Sequence, residues 1–181
     1  IPAIVDQAPQ DGGEPISLFE SGAILQYLAE KTGQFLSADL RVRTETLQWL
    51  YWQMGGLGPM AGQNHHFNVY APVKIEYAID RYVRETGRLY GVLNKHLEQR
   101  DFIAGDYSIA DMASYPWIVS HQRQSQNLDD FPHLKRWFQR IGERPATRRA
   151  YALVEQINPG SPAHDDKARQ ILFGQDSKTI R

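Results

Sequence analysis

Two hydrophobic periods divide the chain. Ala3 to Asp6 and Ile16 to Phe19 are short apolar runs on either side of the turn signal Asp11-Gly12-Gly13, a pattern that predicts an antiparallel hairpin. After Ser21 the spacing becomes helical: Ile24, Leu25 and Leu28 recur at three and four, and Thr32-Gly33 closes the segment with a residue free to adopt positive φ. Gln34 to Leu40 has no sustained period and reads as a linker, and everything later reads as helical.

A helix from about Arg43 carries Leu47, Leu50, Tyr51 and Met54, then meets Gly55, Gly56, Gly58 and Pro59. Glycine lowers helix propensity and an interior proline removes a backbone bond, so a bend or break is expected near Leu57. A kinked core helix and a close backbone approach both account for the glycines. Ile75, Ile79, Tyr82, Thr86, Leu89, Leu93 and Leu97 form one stripe, predicting a helix over Pro72 to Leu97 with Pro72 in its first turn. Ser108-Ile109-Ala110-Asp111 is a capping-box pattern with a structural role, and Pro116 predicts a kink, with Trp117 and Ile118 turned to the core. Further packing helices are expected from Pro132 (Leu134, Trp137, Phe138, Ile141) and after Pro145 (Ala150, Leu153, Val154). Lys135, Arg136, Arg140, Arg144, Arg148 and Arg149 read as a solvated face, and the polar stretch from Asn158 as a flexible or partner-wrapping tail.

Composition changes this picture only by exclusion. Twenty Lys and Arg against 21 Asp and Glu leave no basic excess to drive phosphate-backbone binding, so nucleic acid is not an expected partner. No apolar run approaches the roughly 20 residues that span a bilayer, and a cytoplasmic location is expected. The absence of cysteine from the 181 residues removes disulfide staples and thiolate metal sites; any thiol chemistry must then use the sulfur of a bound ligand unless a preceding segment supplies one.

Candidate chemistry gathers at the start of the chain. An X-Pro bond at Ile1-Pro2 tolerates the cis form, which would turn the backbone of Ile1 outward to pair with an extended ligand. The helix opening at Glu20-Ser21 offers unpaired N–H groups and a positive dipole end, suited to a carboxylate. Acid and Ser at a helix start are also ordinary cap residues. His65-His66 invites a metal reading, but consecutive helical residues project about 100° apart and no Cys or i, i+4 His supports it, so no metal is expected. Arg81 has an i, i+4 partner at Glu85, the mark of a solvated charge.

Ile1-Pro2-Ala3-Ile4-Val5-Asp6 with Leu18-Phe19-Glu20-Ser21-Gly22-Ala23-Ile24 resembles the later half of the thioredoxin-like domain of cytosolic glutathione transferases. Phe102 to Asp111 resembles the helix-start motif of that family's all-helical domain. Leu47 to Met60, with Gly62-Gln63-Asn64-His65-His66-Phe67, is similar to the Nu-class, yeast-nitrogen-regulator-like branch, whose bacterial members are linked to glutathione-dependent disulfide reduction. The resemblance runs from Ile1 to about Ala152 and implies an α+β fold. Two strands and a helix from a thioredoxin-like domain (1–33) are followed by a linker (34–42), an all-α domain (43–157) and a tail (158–181). It also implies a βαβ unit before Ile1, where the family keeps the residue that hydrogen-bonds the glutathione sulfur. The sequence is therefore expected to be partial, and no catalytic side chain is assigned within it.

By the same resemblance glutathione is the bound cosubstrate: Ile1, with Pro2, offers backbone to its cysteinyl unit, and Glu20 and Ser21 hold its γ-glutamyl amine and carboxylate. Arg81 is the candidate carboxylate clamp reaching the site of a neighbouring subunit, and Asn64, His65 and His66 are candidate lining on the electrophile side. The expected protein is a homodimeric enzyme that directs the glutathione thiolate at a disulfide, with peroxides or electrophiles as other targets. The alternative is a non-catalytic regulator that keeps the fold, since the yeast relative shows that this fold does not require transferase activity.

Overall fold

The two apolar runs at the start of the chain pair with each other. In the computed structural model, which describes residues 2–157 and 166–179, β1 (Ala3–Asp6) and β2 (Ile16–Phe19) form an antiparallel pair with Ala3 opposite Phe19 and Asp6 opposite Ile16. Asp6, at the far end of β1, ties the hairpin to α1 (Ser21–Thr32). It accepts from the Tyr27 hydroxyl (2.7 Å) and the Ala8 amide (3.0 Å) and forms an ion pair with Lys31. The Lys31 ammonium, Tyr27 and Ala8 together hold the Asp6 carboxyl far below the usual range, at about 2. Gly33 ends α1 at φ 65° and donates to the Ala29 carbonyl.

The chain then divides into two compact units, residues 1–139 and 140–181. In the first, α2 (Leu40–Trp52) begins three residues before the expected Arg43, because the Asp39 carboxylate accepts from the amides of Arg41 and Val42, both at 3.0 Å. The glycine-rich stretch does not break the helix. Gln53–Leu57 widens into a π turn, and the chain continues as α3 (Gly58–His65) with Pro59 in its first turn, where a missing N–H costs little. Close approach explains part of the glycine run: a Cβ on Gly58 would lie 2.5 Å from Gln53 Nε2 and 3.1 Å from Trp117 Cε2, whereas Gly55 faces open space. A second π turn, His66–Tyr70, ends α3.

α4 (Glu76–His96) carries the long stripe, with Thr86, Leu89, Tyr90 and Leu93 buried. It starts four residues after Pro72; the extended backbone of Ile75 precedes it, so Pro72 does not occupy its first turn. α5 (Ile109–Val119) runs through Pro116 and buries Ile118, while Trp117 is half-buried over Gly58 and Gly62. α6 (Pro132–Glu143) buries Leu134 and Trp137. Arg136 is not merely solvated: it donates to the carbonyls of Leu97 (2.6 Å) and Arg100 (3.0 Å), capping the end of α4.

One buried carboxylate organises these helices. Asp111 accepts from the Ile103 amide (2.9 Å) and the Trp137 indole (2.8 Å) through Oδ1, and from the Ser108 amide (2.9 Å) and hydroxyl (3.1 Å) through Oδ2. Burial pushes its carboxyl above the ordinary range against the pull of those donors.

In the second unit, α7 (Pro145–Ala152) has no buried residue and Leu153 and Val154 are about half exposed, so the packing role expected after Pro145 is not found. α8 (Val154–Ile157) follows. The stretch read as a tail contains α9 (Asp166–Phe173), in which Ile171, Leu172 and Phe173 are exposed. Residues 158–165 lie outside the described residues, as does the tail's end at 180–181. Among the described residues no helix is long and apolar enough to cross a membrane.

Two measurements test this account. Asp111→Ala strands several buried donors and is expected to cost about 3 kcal/mol or more in denaturant unfolding. The Asp6 contribution is fully present above the ordinary carboxylate range and is lost as pH falls through about 2. The melting-temperature gap between wild type and Lys31→Met should therefore be constant above about pH 5 and close towards pH 2.

Candidate functional site

The hairpin register builds the site. Because Ala3 pairs with Phe19, continuing the ladder by one step sets Pro2 beside Glu20, where β2 passes into α1. Pro2 and Glu20 are exposed and Ser21 is half-buried. Ile1, expected to offer its backbone here, lies outside the described residues, and so does the Ile1–Pro2 bond.

Glu20 stands at the helix N-cap with φ 68° and ψ 114°. A non-glycine residue at positive φ costs on the order of 1–3 kcal/mol and persists only where its surroundings enforce it. The strain has a geometric result. Glu20 makes no side-chain capping bond, so its carboxylate does not fold back over the helix start. The Ile24 amide is the first to find its helical carbonyl, that of Glu20, at 2.9 Å. The amides of Ser21, Gly22 and Ala23 are thus without intrahelical partners at the positive end of the α1 dipole. A carboxylate and a cluster of N–H donors stand side by side, a pairing that suits an amino acid head group bearing both an ammonium and a carboxylate.

α1 is held in place from below. Leu25 packs with Ala29, Leu50, Ile109 and Ala113 in a cluster shared by α1, α2 and α5, and Met54 packs against the same cluster. Met54 comes from the π turn after α2 and meets the first turn of α1 directly: a Cβ on Gly22 would lie 3.1–3.3 Å from its side chain, and the Ser21 hydroxyl donates to its sulfur at 3.7 Å. The sequence marked Met54 only as an apolar helix position. The signal for its contact was a glycine directly after Ser21, where helix propensity gives no reason for one.

The remaining expected residues stand elsewhere. Asn64, expected to line a cleft, is fully buried. Its Nδ2 donates to Thr86 Oγ1 (2.9 Å) and the carbonyls of Gln124 (3.0 Å) and Tyr82 (3.3 Å), so it ties α3 to α4 and to the turn at His121–Gln124. Its place after the glycine-rich stretch, which suggested a lining residue, makes it an internal hub instead. His65 and His66 are half-buried and diverge: His65 stacks on Tyr70 (centroids 4.9 Å, planes at 8°), and His66 meets Phe67 edge-on at 5.3 Å. Burial first, then the Arg123 charge, lowers the His65 pKa, and its buried Nε2 has no hydrogen-bond partner among the described residues. Among the described residues no group of three His, Cys, Asp or Glu is placed to hold a metal ion. Arg81 projects from α4 with 57% of its side chain exposed and lies 3.8 Å from Glu85, so within this chain its charge is paired along its own helix.

Known proteins share this arrangement of sequence. A family description of the glutathione S-transferase C-terminal domain matches residues 60–145. The disulfide-bond oxidoreductase YfcG of Escherichia coli is 62% identical over 151 residues, covering 83% of this chain and 70% of that protein. YghU, a second disulfide-bond oxidoreductase of E. coli, is 47% identical over 166 residues, covering 87% of this chain and 56% of that protein; the chain thus spans between about half and seven tenths of these relatives. A glutathione transferase of Pseudomonas putida, solved with one glutathione disulfide per subunit, superposes with a TM-score of 0.77 at 47% identity, over 82% of this chain and 67% of that one.

Relief of the strain at Glu20 is measurable. Glu20→Gly is expected to raise stability by about 1 kcal/mol, since glycine adopts positive φ without penalty. Unchanged or lower stability in denaturant unfolding would contradict the strain.

Proposed function

We propose that this chain, which belongs to the glutathione S-transferase family, acts in glutathione-dependent disulfide reduction and docks glutathione at the start of α1. The γ-glutamyl carboxylate takes the amides of the first turn and the Ser21 hydroxyl, the γ-glutamyl ammonium faces Glu20, and the cysteinyl backbone runs beside Pro2 in the manner of an added strand. The observation that carries this reading is the strained Glu20, held so that its carboxylate stays off the helix start and the amides behind it stay bare.

The 181 residues contain no cysteine, and in this reading the attacking sulfur is that of glutathione. Its thiolate attacks one sulfur of the substrate disulfide, that S–S bond breaks, and the departing thiolate takes a proton. A second glutathione then attacks the mixed disulfide, releasing the second substrate thiol and glutathione disulfide. The two relatives described as disulfide-bond oxidoreductases support disulfides as the substrate class. Peroxides and electrophiles are secondary targets of the same thiolate. The cytoplasm, where glutathione is kept reduced, is the compartment this chemistry requires.

A homodimer belongs to the reading. Leu28 and Tyr51 are exposed on α1 and α2, and Gly55 faces open space beside them, a surface that a second copy can approach closely. In that dimer Arg81 serves as a carboxylate clamp for the neighbouring site.

Titration calorimetry and a mixed-disulfide assay on the full-length protein test the proposal. Ser21→Ala is expected to weaken glutathione binding about tenfold, the worth of one hydrogen bond to a charged group, and Arg81→Ala to weaken it similarly. Wild-type affinity in Ser21→Ala would remove the site from α1, and wild-type affinity in Arg81→Ala would remove the clamp. Binding without turnover of any disulfide would leave a regulator in place of an enzyme.

A further inference from the structure

We propose that Met54 is an oxidation site through which hydroperoxides lower glutathione affinity. The inference rests on glutathione docking at the start of α1. Among the described residues Met54 is the one methionine whose sulfur accepts a hydrogen bond, and the donor is the Ser21 hydroxyl assigned to the ligand carboxylate. The thioether is a weak acceptor, as the 3.7 Å separation reflects, so Ser21 is free to turn to a carboxylate when glutathione arrives.

Oxidation changes that balance. The thioether sulfur attacks the distal oxygen of a hydroperoxide; the O–O bond breaks, an S–O bond forms, the sulfur is oxidised by two electrons, and the peroxide leaves as water or an alcohol. The sulfoxide oxygen is a polar acceptor at the end of what was an apolar side chain. Met54 already fills the space over Gly22, where a single added carbon would meet it at 3.1–3.3 Å, so the new oxygen has little room on that side. The donor already in contact with that sulfur is the Ser21 hydroxyl, the group that the carboxylate of glutathione requires. The modified side chain becomes a tethered competitor for the anion site. Met54 is half-buried rather than enclosed, which leaves a path for a small peroxide.

The test treats full-length protein with hydrogen peroxide, locates sulfoxide by peptide mass mapping, and measures glutathione affinity before and after, each variant being compared with itself. In wild type, oxidation at Met54 is expected to weaken glutathione binding about tenfold, with methionine sulfoxide reductase restoring it. Met54→Leu, of similar volume, should show a ratio near one although Met60 and Met112 are still oxidised. Met54 remaining unoxidised while the other two react, an unchanged affinity in protein oxidised at Met54, or an equal loss in Met54→Leu would each overturn the inference. Ser21→Ala separates the two readings. Wild-type affinity in that variant before peroxide defeats the docking site itself, whereas weakened affinity together with a peroxide-insensitive wild type defeats only the oxidation site.

Discussion

Burial of one face of α1 against α2 and α5 is the contact on which the rest of the N-terminal segment depends. A two-stranded hairpin is marginal in water by itself. Here it gains its rigidity through α1, whose Ala29 packs with Leu50, Ile109 and Ala113, supported by Leu25, Leu36, Leu47, Met54 and Met112. Fixing the helix fixes its first turn, and fixing the first turn fixes the backbone of Glu20 at an angle that an isolated peptide would avoid. The strain at Glu20 is sustained by the apolar packing of Leu25 and Ala29 further along the same helix.

The helical layer supplies that packing surface through two devices. The π turn at Gln53–Leu57 adds a residue to the helical ladder without breaking the chain and carries Met54, which lies over Gly22. The buried Asp111 gathers the loop at Ile103, the start of α5 and the indole of α6 onto one carboxylate. Removing water from that group is costly, and the four donors offset the cost only while all the elements remain in place. The position of α5, against which α1 rests, is therefore tied to the integrity of the whole first unit.

Asn64 and Met54 show how sequence reading and geometry part company. Asn64 follows the glycine-rich stretch beside His65-His66, a place that suggested a cleft; the structure spends it on Thr86, Tyr82 and Gln124. Met54 sits at an unremarkable apolar position, yet its sulfur reaches Ser21 across 33 positions of sequence. Helical periodicity reports which face is turned inward, and it carries no record of which element will be met there. Arg136 gives the same lesson, since a basic residue in a basic stretch becomes a cap for carbonyls 36 and 39 positions away.

Local rules did determine a great deal. The hairpin, the helix that follows it with its Gly33 stop, the long stripe of α4 and the Ser108–Asp111 box all follow from spacing and from the conformational limits of individual residues. The pairing of Glu20 with Ser21 at a helix start was likewise legible, because a cap and a dipole are properties of a few adjacent residues. Tertiary structure decided whether that start would be open or closed. The choice lies in one backbone angle at Glu20, which local preference opposes and which only contacts between α1, α2 and α5 can hold.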